Sequence, residues 1–150
     1  VVTAGVEDKV LIGAHSIKIE MDKRVDEVNS SDFDMIVLPG GLPNAFTLAD
    51  DNDVQRLLKE FEEKNKKIGT ICAAPYALHK AGVLNQNYTC YPSFEKKIKD
   101  DGYQDDKNVV TDNNVITSRG PATAIDFALE IVKTLKGDDI YFQVKTGLLA

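Results

Sequence analysis

The chain has 150 residues, of which 43% are hydrophobic and 28% charged, the balance of an ordinary globular chain with room for one compact domain over 1–150. Its formal net charge of -6 and the lack of an extended basic cluster speak against non-specific nucleic-acid binding, which works by neutralising phosphates with Lys and Arg. No apolar run approaches the length of a membrane span, no secretory n-region and h-region are found, and Cys72 and Cys90 do not resemble a secreted disulfide framework, so the expected compartment is a reducing cytoplasm.

In chain order, Val1 to Gly5 has the pattern of a buried strand entering a turn, and a further N-terminal piece is expected ahead of it. Ser16 to Met21 alternates polar and apolar, the pattern of a half-buried strand, and Arg24 to Val28 is a weaker one. Met35-Ile36-Val37-Leu38 is a continuous apolar run, suited to a parallel strand covered on both faces, and ends at Pro39-Gly40-Gly41. Asp53 to Lys67 is helical, with Val54, Leu57, Leu58 and Phe61 forming one stripe and Asp51 to Asp53 supplying cap candidates. A short strand, Ile68 to Ile71, leads directly into Cys72, and Ala73 to Ala81 forms a helix stopped by Gly82.

Tyr88 to Tyr91 is expected as a strand and Phe94 to Lys99 as a short helix. Val109 to Thr111 and Val115 to Thr117 form a hairpin around Asp112-Asn113-Asn114. Pro121 to Leu135 is an amphipathic helix closed by Gly137, and Asp138 to Lys145 a last short one. This alternation implies an α/β domain with a mainly parallel sheet and helices on both faces.

The sharpest chemical feature is Ile68-Gly69-Thr70-Ile71-Cys72-Ala73-Ala74-Pro75. A cysteine where a strand turns sharply into a helix has the geometry of a nucleophile elbow, and small neighbours let the backbone bend. The unpaired N–H groups of the helix start favour the thiolate form. Composition alone would make Cys72 a buried structural cysteine; the elbow setting weighs against that. The glycines of Leu38-Pro39-Gly40-Gly41 permit close backbone approach, and their N–H groups suit an oxyanion at the same sheet edge.

Val37-Leu38-Pro39-Gly40-Gly41, Ile71-Cys72-Ala73-Ala74-Pro75, Cys90-Tyr91-Pro92 and Thr117-Ser118-Arg119-Gly120-Pro121, in that order, resemble the ThiJ/PfpI superfamily and its DJ-one-like branch, over nearly the whole chain. The resemblance implies a flavodoxin-like three-layer α/β sandwich, usually a homodimer, with the elbow cysteine as reactive centre. On it Cys72 is the nucleophile, and Gly41 and Ala73 supply oxyanion N–H groups. Gly40, Tyr91 and Pro121 line the pocket, Pro121 in some members from the neighbouring subunit.

Two departures from the family follow. Tyr91 stands where many members have histidine, and a tyrosine hydroxyl stays protonated at neutral pH, so a Cys-His protease is not expected. His79 is expected at the surface or a helix end. His15 is expected near the dimer contact. The family's glutamate, its expected acid/base, matches no residue of this chain. It belongs with a βα half-unit preceding Val1, supplied by an upstream piece or a separate N-terminal fragment. Cys90 is expected to face away from the pocket, and the cysteines and histidines lack metal-ligand spacing, so no metal or cofactor is implied. The function implied is glyoxalase or deglycase chemistry on small 2-oxoaldehydes in stress protection. The alternative is a redox-sensing or chaperone-like protein in which an oxidant reaches Cys72 without turnover.

Overall fold

The computed structural model describes residues 1–98 and 101–150. Its centre is a four-stranded sheet in the order β5-β6-β8-β7, built from β5 (Met35–Leu38), β6 (Lys67–Ile71), β7 (Val109–Asp112) and β8 (Val115–Ser118). β5, β6 and β8 run parallel, and β7 returns antiparallel beside β8 through Asn113. Helices α1 (Asn44–Asp50), α2 (Asn52–Glu63) and α3 (Pro75–Ala81) cluster together, with α2 on β5 and β6. Helix α5 (Ala124–Lys136) packs on β6, β7 and β8, and α6 (Asp138–Leu148) packs on α5.

The α2 stripe does what its spacing predicts. Val54, Leu57, Leu58 and Phe61 are all buried, against Ile68, Ala77, Leu78 and Val115. Asp51 caps the helix by accepting the Val54 N–H at 2.9 Å. On the other sheet face Gly69 leaves room for Phe127 and Met35: a side chain there would meet Met35 Cε at 2.7 Å and Phe127 Cζ at 3.1 Å. Gly82 ends α3 with φ of 73°, its N–H donating to the carbonyls of Leu78 and His79.

The N-terminal third differs from its sequence pattern. Only Ala4–Gly5 forms a strand, β1, paired parallel with β4 (Lys23–Arg24), and Val1 to Ala4 are exposed. β2 (Val10–Ile12) and β3 (Lys18–Glu20) form a separate hairpin rather than a half-buried strand, with Ile17 and Ile19 exposed because neither face lies on a core. Arg24 to Val28 is a 3-10 turn, Val25–Glu27, after β4. β5 is also only partly covered, with Val37 46% exposed. Between β1 and the free edge of β5 runs a cleft of about 950 Å³, bordered by Ala4, Val6, Met35, Val37 and the Gly40–Gly41 turn.

Other differences are local. The sequence pattern missed α1, and the expected strand at Tyr88 to Tyr91 is extended chain with one bridge, Tyr88 to Tyr103. Of the short helix expected over Phe94 to Lys99, Glu95–Ile98 forms α4, and Lys99 lies outside the described residues. Pro121 begins a 3-10 turn, Pro121–Thr123, that leads into α5. Among the described residues no helix is long and apolar enough to cross a membrane.

Candidate active site

Cys72 sits between β6 and α3 at a φ of 65°. A non-glycine residue in the left-handed region carries strain of about 1–3 kcal/mol and persists only where its surroundings fix it. Here the Cys72 N–H donates to the Ser118 carbonyl at 2.9 Å, and the Cys72 carbonyl accepts the Tyr91 N–H at 2.8 Å. The end of β8 and the Tyr91 segment therefore grip the elbow from two sides. The side chain stays half-buried and the thiol is free.

The Pro39-Gly40-Gly41 turn, at the end of the neighbouring strand β5, lies directly against the elbow. A Cβ on Gly40 would fall 2.5 Å from Cys72 Cβ, 2.7 Å from the Ile71 carbonyl oxygen and 3.2 Å from the Ala73 nitrogen. No side chain fits there, which is the physical reason for the glycine. Gly41 follows with φ of 93°. Among the described residues neither the Gly41 nor the Ala73 N–H donates to a protein acceptor. The parallel register of β5 and β6 thus brings both N–H-bearing segments to one sheet edge, the usual place for a ligand in an open α/β sheet.

Tyr91 and the Ser118–Pro121 stretch lie on the other side of the elbow. The Tyr91 ring lies over Gly120, where a Cβ would meet its Cδ2 at 3.4 Å, and the residue is 47% exposed. The stretch is held by Thr123, whose hydroxyl lies 2.7 Å from that of Ser118 and accepts the Gly120 N–H at 3.1 Å. The Arg119 guanidinium donates to the Asp105 carbonyl. Pro121, at the end of this stretch, is exposed. His79 lies in the last turn of α3, and His15 is exposed between β2 and β3.

Beneath the elbow, Cys90 is fully buried among Ala45, Ala73, Tyr88, Phe94 and Ile98. Burial, and then the Glu95 carboxylate, push its thiol up to about 12, although the Glu95 N–H donates to the sulfur. Cys90 is thus a protonated core thiol. Sequence reasoning missed Glu95, whose Oε2 is buried without a hydrogen-bond partner among the described residues. It also missed an aromatic group beside Cys72: the rings of Phe46, Tyr76 and Phe94 lie 5.7 to 6.4 Å apart. Phe46 was obscured because α1 itself was missed; Tyr76 and Phe94 lie next to motifs that were recognised.

The DJ-1/PfpI family profile matches residues 1–134. The chain belongs to the DJ-1/PfpI family. It is 41% identical to Protein dj-1beta of Drosophila melanogaster, over 91% of this chain and 74% of that protein. It is 37% identical to the glutathione-independent glyoxalase DJR-1.2 of Caenorhabditis elegans, over 93% of this chain and 75% of that one. The crystal structure of Drosophila DJ-1beta superposes with a TM-score of 0.93 at 38% identity, covering 99% of this chain and 82% of that one. The chain therefore has the α/β fold of DJ-1 proteins, the flavodoxin-like class that the motifs implied.

Proposed function

We propose that this DJ-1/PfpI chain is a cysteine-dependent enzyme for small 2-oxoaldehydes, of glyoxalase or deglycase type, with Cys72 as nucleophile. The observation that carries the reading is the left-handed Cys72 elbow pressed against the Gly40–Gly41 turn. The Cys72 thiolate would add to the aldehyde carbon, forming a C–S bond and leaving an oxyanion. Gly41 and Ala73 would donate their N–H groups to that oxygen. Transfer of the carbon-bound proton to the adjacent carbonyl carbon would give a thioester, and water would release the 2-hydroxy acid and return the thiol. Gly40, Tyr91 and Pro121 would bound the pocket.

The proton carrier in this scheme is the family's glutamate, which matches no residue of this chain. The cleft beside β5 supports a reading in which a strand from an upstream piece or a separate fragment fills that space and brings the acid to Cys72. Exposed Ile12, Ile17 and Ile19 on the β2–β3 hairpin support a homodimer, with His15 near the contact. The free thiols at Cys72 and Cys90 suit a reducing cytoplasm. A second reading, oxidation of Cys72 without turnover, is favoured by the half-buried thiol and by Tyr91 in place of histidine.

Incubating the full-length protein, wild type and Cys72→Ala, with methylglyoxal and following lactate decides between them. Saturable turnover lost in the variant is the expected outcome. Absent turnover together with selective peroxide oxidation at Cys72 would transfer support to the redox reading. Equal behaviour of both proteins in both assays would sink each.

A further inference from the structure

We propose that Asn44 is a positioning residue for the oxyanion site, holding the Pro39-Gly40-Gly41 turn in the orientation that turns the Gly41 N–H toward the Cys72 side. The proposal rests on Cys72 acting as a nucleophile at a carbonyl carbon. Asn44 is the first residue of α1, and its Nδ2 donates to the carbonyls of both Pro39 and Gly40, each at 3.2 Å. Both partners are acceptors, so only the NH₂ end of the amide fits, and each of its two hydrogens serves one carbonyl.

The consequence follows from peptide geometry. In a planar trans peptide the C=O and N–H point in opposite directions. Holding the Gly40 carbonyl toward Asn44 therefore turns the Gly41 N–H away from it. Holding the Pro39 carbonyl does the same for the Gly40 N–H.

Without that restraint the turn has freedom to flip. Opposed rotations about ψ of Gly40 and φ of Gly41 reverse the peptide between them and leave the flanking chain in place. Gly41 has no steric brake, since a Cβ there would meet nothing within 4 Å. Among the described residues Asn44 is the only side chain that donates to either carbonyl. Its own backbone is anchored, because the next residue, Ala45, donates its N–H to the Gly41 carbonyl at 2.9 Å and is fully buried. The clamp thus ties the turn to the start of a packed helix.

The test compares the full chain with Asn44→Leu and with Asn44→Asp, a near-isostere that cannot donate when ionised. Three readouts are taken: methylglyoxal turnover, the rate of Cys72 alkylation by iodoacetamide, and the Gly41 amide resonance in ¹⁵N NMR. Expected is a fall in kcat of about tenfold with KM little changed, since the lost orientation matters mainly in the transition state. Alkylation, which develops no oxyanion, keeps its rate. The Gly41 amide shifts or broadens in both variants while that of Ala73 does not.

An unchanged Gly41 amide in both variants would overturn the proposal whatever the turnover. So would undiminished turnover in the variants of an unaltered protein that is itself active. A changed Gly41 amide in a protein whose unaltered form shows no turnover would uphold the clamp as a backbone device and remove the enzymatic reading instead.

Discussion

The centre of the sheet and its β5 edge are built differently. In the central strands β6 and β8 nearly every residue is buried: Ile68, Thr70, Ile116 and Thr117 are fully enclosed between α2 and α5. At the β5 side Val37 is half exposed, and the β2–β3 hairpin beyond it turns Val10, Ile12, Ile17 and Ile19 to solvent. The strained elbow hangs on the first region through the Ser118 carbonyl at the end of β8, and Gly40 at the end of β5 presses against it. Positive φ at Cys72 is tolerated because a rigid frame fixes both of its neighbours. The other region offers shape and apolar surface but little packing, which suits contact with another segment or a second copy.

Side-chain truncation sharpens this contrast most. Leu58→Ala removes a fully buried side chain beneath the sheet, and we expect a loss of about 2–5 kcal/mol in urea unfolding. Ile12→Ala removes one that is 69% exposed, with an expected change within about 0.5 kcal/mol for the isolated chain. A comparable loss at Ile12 would mean that the hairpin is already packed in solution, and a concentration-dependent midpoint would assign that packing to a dimer.

Gly40→Ala addresses the join between the two regions. The added methyl would fall on Cys72 Cβ and on backbone atoms of Ile71 and Ala73, none of them the end of a flexible side chain. We expect a loss of about 1–3 kcal/mol from overpacking, with methylglyoxal turnover lost by displacement of the elbow. Retained stability and turnover would show that β5 gives way easily, and would weaken the picture of a rigid frame.

What the sequence made legible follows the same division. The packed region announced itself: the α2 stripe, the Cys72 junction and the β7–β8 hairpin all matched local pattern to local structure, whereas Met35–Leu38 formed its strand but with less cover than its apolar run implies. Alternation in Ser16 to Met21 gave the strand over Lys18–Glu20 but not the turn at Ser16 or the burial, because burial depends on what lies above the strand. Tyr88 to Tyr91 has strand composition, yet its N–H groups go to Gly102, Thr117 and Cys72 rather than to one neighbouring strand. Asn44 gave no sequence signal, since its role exists only once the turn folds back over it. The site was readable where it consists of turns with special φ, and hidden where it consists of side chains meeting across the fold.

The smallest expected effect is a pH dependence carried by Cys90. Cys90, in the packed region, has its thiol pushed up to about 12 by burial and by the Glu95 carboxylate. In the unfolded chain a cysteine loses its proton near pH 8.5. Below that value both states hold the proton, and Cys90 makes stability no more pH-dependent. Above it the unfolded state binds fewer protons than the folded one, so stability falls as pH rises, up to the folded value. At pH 9.5 the difference is about 1.4 kcal/mol relative to pH 7. Cys90→Ala carries a constant cost at every pH but lacks this slope. The gap between the two proteins in urea unfolding should therefore narrow by about that amount between pH 7 and 9.5. Cys72→Ala provides the control, since its thiol lies outside the buried cluster and its removal should leave the Cys90 slope in place. A gap that stays constant for Cys90→Ala would mean that Cys90 ionises alike in both states, and that the core beneath the elbow admits water.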